Sequence, residues 1–241
     1  MMNLTLDIGN TMVKWALFEG GCLTRSGRQA TLEGVPHAER AMVCASGRVD
    51  EAALAALADE VHILSAETPL PIGVDYETPQ TLGADRVAAA CGARRLGEGR
   101  ACVVVDAGTC ITIDYIDAAG VYRGGAILPG MEMKFRALHT FTAKLPLLSD
   151  VGFDEAPLTG RSTRASMAAG VLTATRFEVE GFVARYRAEA PDCDVLLTGG
   201  DAERLWGEGR LAVAGCRIEP QLVMVGLNEI LDRLEDKEIG R

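Results

Sequence analysis

The chain contains no Gly-Lys dipeptide and no G-x-G-x-x-G segment, so neither a Walker A loop nor a dinucleotide fingerprint can be drawn anywhere along it. It also lacks a basic cluster. Asp and Glu outnumber Lys and Arg by 34 to 24, for a net charge of −10, and a nucleic-acid surface, which works by neutralising phosphates, has no support. A small anion would have to be held locally, by backbone donors, single arginines and bound cations. No apolar run reaches the length of a membrane span, and the first strand-like run begins at Leu4 with no basic segment or apolar signal core before it. The expectation is a cytoplasmic protein with neither a membrane nor a nucleic-acid partner. The seven cysteines (22, 44, 91, 102, 110, 193 and 216) are odd in number and form no C-x-x-C pair, as expected of reduced thiols, most of them small core residues. His37, His62 and His139 stand singly, without metal-ligand spacing. No G-x-S-x-G elbow occurs, and Ser162 has no histidine near it in sequence.

What the chain does have is one device used twice. Leu4-Thr-Leu-Asp7-Ile-Gly-Asn-Thr11 near the start and Val103-Val-Val-Asp106-Ala-Gly-Thr109 roughly a hundred residues later each bring a β-rich run to an aspartate and a Gly-containing turn with a Thr beside it. A second β-rich run follows each turn (13–18 and 111–116). Glycine lets backbone approach a ligand without a Cβ in the way. The turn's N–H groups and the Thr hydroxyl suit phosphate oxygens, and the aspartate can hold a cation against them. A lone Asp-x-Gly is ordinary turn chemistry. Two copies, each between strands, point to a nucleoside triphosphate gripped from both sides.

The pattern of elements predicts two α/β halves. Strands at about 3–8, 12–19 and 22–25 form a meander, and further β-like runs lie at 41–45 and 61–65 with an Ala/Leu-rich helix between them. Gly83-Ala-Asp85-Arg86 leads into a helix over 87–96 closed by Gly97, and Gly97-Glu-Gly-Arg100 reads as the link between lobes. The second half runs through strands at 101–106, 111–117 and 121–128, turns at Pro129-Gly130 into a helix, and continues as one long amphipathic helix over 164–190 and a terminal helix after Pro220. The expected architecture is two ribonuclease-H-like lobes, 1–98 and 99–241, with a nucleotide cleft between them. Ala165, Ala168, Ala169 and Gly170 at the start of the long helix would allow close helix–helix approach in a homodimer.

Asp85 and Arg86 sit at a helix start, where Asp is favoured because its carboxylate caps free N–H groups. Tyr76 lies nine residues before Asp85. A carboxylate to take a proton, a guanidinium to bind a substrate carboxylate and a phenol to donate a hydrogen bond also make a substrate pocket.

At these residues the chain resembles the type III pantothenate kinases, within the superfamily of acetate and sugar kinases, actin and heat-shock ATPases. The resemblance runs in order through Asp7-Ile-Gly-Asn-Thr11 with Lys14; Tyr76; Gly83-Ala-Asp-Arg86; Asp106-Ala-Gly-Thr109; Gly124-Gly-Ala-Ile-Leu-Pro-Gly130; Ala143-Lys-Leu-Pro146; Gly160-Arg-Ser-Thr163; and Leu197-Thr-Gly-Gly200. Cys110, where Ala is more usual, is a small departure.

The resemblance implies ATP-dependent phosphorylation of pantothenate to 4'-phosphopantothenate, the first step of coenzyme A biosynthesis. It implies that Asp7, Ile8, Gly9, Asn10, Thr11, Met12, Val13 and Lys14 line the ATP phosphates, with Asp7 also toward Mg2+, and that Thr109 meets ATP from the second turn. Gly199 and Gly200 would serve the adenosine side. Asp106 would bind a monovalent cation, K+ or NH4+. Asp85 would be the proton acceptor, Tyr76, Gly83, Ala84, Asp85 and Arg86 the pantothenate positions, and Thr163 a substrate contact delivered by the neighbouring subunit of a dimer. The alternatives are another small-molecule kinase or phosphohydrolase of the superfamily, which needs no G-x-D-R pocket, and a nucleotide-gated regulatory protein without catalysis.

Overall fold

The computed structural model describes the chain outside residues 10, 11, 46, 48, 209, 210, 240 and 241, and its side chains outside 208 and 235–239 in addition. Asn10 and Thr11 of the first turn therefore lie outside the described residues. The backbone forms two compact units: 1–100 with 116–124 and 221–241, and 101–115 with 125–220.

The first unit is built on a five-stranded sheet ordered β3-β2-β1-β4-β5, from β1 (Met2–Ile8), β2 (Val13–Glu19), β3 (Cys22–Gln29), β4 (Ala38–Ala45) and β5 (Ala58–Ile63). β1 is central, antiparallel to β2 and parallel to β4. Its side chains alternate between faces. Leu4 and Leu6 enter an apolar core with Val13, Trp15, Leu17 and Leu54 of helix α1 (Glu51–Ala55). Asn3, Thr5 and Asp7 share the opposite face, where Thr5 Oγ1 meets Met224 Sδ at 3.3 Å and Asn3 Nδ2 donates to Asn228 Oδ1 at 2.9 Å, both partners on the last helix, α6 (Leu222–Ile239). Asp7 thus ends a polar row beneath covering helices.

The second covering helix is α2 (Ala84–Leu96), which packs on α6 at unusually close range. A Cβ on Gly226 would fall 1.7 Å from the Ala88 carbonyl oxygen, and one on Gly92 would fall 2.3 Å from that of Leu222. Only glycine at both crossing points permits the approach. The terminal helix thereby belongs with the first sheet, whereas a boundary at 98/99 assigned it to the second lobe. Its apolar face, with Val223, Leu227, Ile230 and Leu231 buried, fits either sheet, and the glycine pairing selects one. The link expected at 97–100 does end the first stretch of this unit, but the chain returns to it twice.

A six-stranded sheet, ordered β11-β10-β7-β8-β9-β6, uses β7 (Cys102–Ala107), β8 (Cys110–Ile116), β9 (Val121–Pro129), β10 (Asp194–Thr198), β11 (Cys216–Ile218) and the two-residue β6 (Gly73–Val74). In the second unit β10 runs parallel to β7 and to β11. Val103, Val105, Val195 and Leu197 build its core with Val179 and Val183. The long helix expected over 164–190 is three segments: α4 (Thr163–Ala168), a π-helical stretch (Ala169–Thr173) and α5 (Ala174–Glu189). Val171, Leu172, Thr175, Val179 and Val183 are buried as their spacing predicted. The π turn adds a residue to the helical repeat, and periodicity alone does not report it. Helix α3 (Met131–Thr140) follows the Pro129-Gly130 turn as expected.

Candidate active site

In the first unit, Asp7 lies between two donors on one rung of the sheet. The registers pair it with Lys14 on β2 and with Cys44 on β4. Lys14 Nζ is 3.0 Å from Oδ2, and the Cys44 thiol donates to Oδ1 at 3.5 Å. The turn beyond closes with Gly9 N–H on the Met12 carbonyl at 3.0 Å. Burial, together with the charge and hydrogen bond of Asp7 and the charge of Asp85, holds the Cys44 thiol well above its usual pKa, so it stays protonated.

Asp85 is exposed in the first turn of α2, whose start lies at Ala84 rather than at 87. Its Oδ1 accepts the Arg86 N–H at 2.9 Å, the local capping expected of it. Gly83 is the N-cap residue, and a Cβ there would sit 2.5 Å from that same Oδ1. The glycine leaves room for the carboxylate. Arg86 is buried, with its guanidinium 5.9 Å from the centre of the Tyr122 ring. Tyr76 lies 6.0 Å from Tyr122, ring to ring and tilted. The Tyr76 segment is held by the pairing of β6 with β9, by Asp75 N–H on the Tyr122 carbonyl at 3.0 Å, and by Arg123, which meets Asp75 at 2.6 Å and Asp117 at 2.8 Å. Gly83, Ala84, Asp85, Arg86 and Tyr76, scattered over eleven positions, are thus brought together in one unit.

The second turn is assembled in the second unit. Gly108 N–H closes it on the Cys110 carbonyl at 2.9 Å, leaving Thr109 and Cys110 exposed. Thr198 pairs with Asp106 across parallel strands, and Gly199 follows at φ +92°. A Cβ on Gly199 would meet both the Ala107 carbonyl and Asp106 Oδ1 at 2.3 Å. The Gly199-Gly200 turn therefore presses on the Asp106 carboxylate, with Asp201 N–H on the Ala107 carbonyl at 2.8 Å. Burial raises the Asp201 carboxyl, opposed by Arg204 and reinforced by Glu132. Thr163 is exposed at the first position of α4, capped by Ser162 Oγ, which accepts the Ala165 N–H at 3.1 Å.

Three residues of these sites had no sequence signal of their own. Cys44 read as a small core residue, and only the parallel register of β1 and β4 sets it opposite Asp7. Tyr122 read as one more strand residue before Gly124-Gly125. Asp201 directly follows Gly199-Gly200, a position that adjacency alone could have flagged. Among the described residues, no three His, Cys, Asp or Glu side chains converge as a metal cage, and no helix is long and apolar enough to cross a membrane.

Comparison with known proteins places this geometry in a family. Residues 35–185 match the model of the type III pantothenate kinase family. A type III pantothenate kinase from Cytophaga hutchinsonii is 40% identical over 241 residues, covering 96% of this chain and 99% of that one. Among solved structures, a Campylobacter jejuni protein assigned to the Baf family of transcriptional activators aligns with a TM-score of 0.65 at 22% identity, over 97% of this chain and 99% of the other. A glucokinase from an Antarctic psychrotroph aligns at 0.52 and 10% identity, over 96% and 99%. These structural likenesses establish the actin-like ATPase and sugar kinase fold. With the family match and the sequence identity spanning nearly its whole length, the chain belongs to the type III pantothenate kinase family.

Proposed function

We propose that this protein transfers the γ-phosphoryl group of ATP to the primary hydroxyl of pantothenate, giving 4'-phosphopantothenate and ADP, the entry step of coenzyme A synthesis, in the cytoplasm. The observation that carries this reading is the match to a type III pantothenate kinase over nearly the whole chain. Geometry within the first unit supports it: Lys14 and Cys44 hold Asp7, and Asp85 stands in the first turn of α2 beside the buried Arg86, whose guanidinium faces the Tyr122 ring that Tyr76 also meets.

In this mechanism the hydroxyl oxygen attacks the γ-phosphorus in line as the bond to the β,γ-bridging oxygen breaks, ADP leaves, and the hydroxyl proton passes to Asp85. Because the transition state is loose, the first task of Asp85 is to orient the hydroxyl. Arg86, buried and fixed against Tyr122, offers a guanidinium to the pantothenate carboxylate, and Tyr76 offers its phenol. The backbone from Asp7 to Lys14, with Thr109 in the second turn, supplies phosphate donors, and the Gly199-Gly200 turn serves the adenosine side, where Gly200 has open space beyond its Cα.

Asp7 suits a magnesium ion, which uses one or two carboxylates together with substrate phosphates and so needs no protein cage. Asp106, whose Oδ1 lies 2.3 Å from where a Gly199 Cβ would be, suits a K+ or NH4+ ion. When bound, the two cations supply charge neutralisation on the phosphate oxygens.

A homodimer completes the reading. Ile127, Met133, Phe141, Leu147, Leu158 and Phe177 are large apolar side chains left exposed in the second unit, available to a partner copy. Gly170 is exposed with open space beyond its Cα, although Ala168, counted with it as a contact residue, is fully buried. Thr163 opens the helix that leads into this stretch, where it can serve a neighbour's pantothenate.

The test is ADP release with and without pantothenate, in potassium and then in sodium. Release should require pantothenate and favour potassium. Asp85→Asn should lower turnover by about 10²- to 10⁴-fold, the range for loss of a general base, while ATP binding is retained. Equal release from acetate, sugars or polyphosphate would instead support another kinase of the superfamily.

A further inference from the structure

We infer that Cys44 is a positioning residue for phosphoryl transfer: its thiol hydrogen holds one oxygen of the Asp7 carboxylate, so that the other oxygen is left for the cation and the nucleotide. The inference rests on the reading of Asp7 as the magnesium-side carboxylate.

The geometry is a three-residue rung. Lys14, Asp7 and Cys44 sit side by side on β2, β1 and β4, with Lys14 on Oδ2 at 3.0 Å and the thiol on Oδ1 at 3.5 Å. The two donors differ in kind. The Lys14 side chain is 47% exposed, on a flexible stem that can turn toward a phosphate. Cys44 is 1% exposed, locked in the strand, and cannot leave. When Lys14 serves the nucleotide, the thiol still fixes the plane of the carboxylate.

A thiol also suits the task chemically. It is a weak donor and carries no charge, so it orients Asp7 without neutralising it and without competing for the cation as an ammonium would. A carboxylate at this rung would repel Asp7, and a cation would pair with it.

Two isosteric pairs test this. Cys44→Ser keeps a donor where Cys44→Ala removes it, and Cys44→Thr against Cys44→Val repeats the comparison with a β-branched strand residue should either small variant fail to fold. The magnesium concentration that half-saturates binding of a fluorescent ATP analogue is measured first, and kinetics second. Loss of the donor should raise that concentration by about three- to tenfold and lower kcat with the KM for pantothenate unchanged, and the hydroxyl variants should stay within about twofold of the parent. On an Asp7→Asn background, removing the thiol should add nothing to nucleotide binding, because Cys44 acts through that carboxylate. Equal behaviour of donor and non-donor variants in both pairs, or additive effects with Asp7→Asn, would overturn the proposal. Since nucleotide binding is read without pantothenate, a failure of the pantothenate assignment would show separately, as a parent enzyme whose ADP release ignores pantothenate.

Discussion

Gly83 shows how one missing methyl group can leave room for a carboxylate. A Cβ there would lie 2.5 Å from Asp85 Oδ1, and since it meets only the free end of a side chain, the backbone could tolerate it while the carboxylate turned aside. Gly83→Ala should therefore lower kcat by about 10- to 100-fold, the usual consequence of an ångström-scale misplacement, and shift the thermal midpoint by no more than about 3 °C. Calorimetry beside kinetics checks this, and an unchanged kcat would mean the carboxylate is not held by this contact. The turns and the helix start that carry Asp7, Asp85, Asp106 and Thr109 were legible in the sequence because turn chemistry is local: a Gly two or three positions from an Asp is visible without knowing the fold. Cys44 and Tyr122 were not, because their neighbours come from strand register, and nothing adjacent in the chain reports a partner 37 or 46 positions away.

At the scale of elements, the crossing of α2 and α6 carries more than stability. Strand and helix order followed from periodicity, but the choice of sheet for α6 turned on Gly92 and Gly226, two small residues that an apolar-face pattern passes over. Gly226→Ala would push a methyl group to 1.7 Å from the Ala88 carbonyl oxygen, against backbone that cannot step aside. We expect a loss of about 1–3 kcal/mol in urea unfolding, as for other overpacked contacts. Because the first turn of α2 bears Asp85, kcat should fall in the same variant under conditions where it remains folded. Loss of stability with kcat intact would show that the helix moves without carrying its first turn. The π stretch between α4 and α5 makes a similar point, since its apolar residues were located correctly while the break in the helix left no trace in their spacing.

At the scale of the whole molecule, the proposal that two chains share each pantothenate site has a direct test. Asp85→Asn and Thr163→Arg chains, each inactive alone, should regain about a quarter of parental activity when mixed at equal amounts, since random pairing makes half the dimers hybrid and each hybrid holds one site with both residues intact. Ala169→Glu, which puts a charge at a half-buried position of the same helical stretch, should reduce the mass seen by light scattering and weaken pantothenate use more than ATP binding. Absence of recovery despite proven subunit exchange would refute the shared site. The return of residues 221–241 to the first unit has a consequence for the protein's birth. At about 5–20 residues per second, a ribosome that has finished the first hundred residues needs on the order of ten seconds more to reach the helix that covers β1 and α2. For that interval the nascent chain has only α2 on that face of the sheet, so Asn3 and Thr5, in the row that Asp7 ends, wait for their partners Asn228 and Met224 until α6 is made.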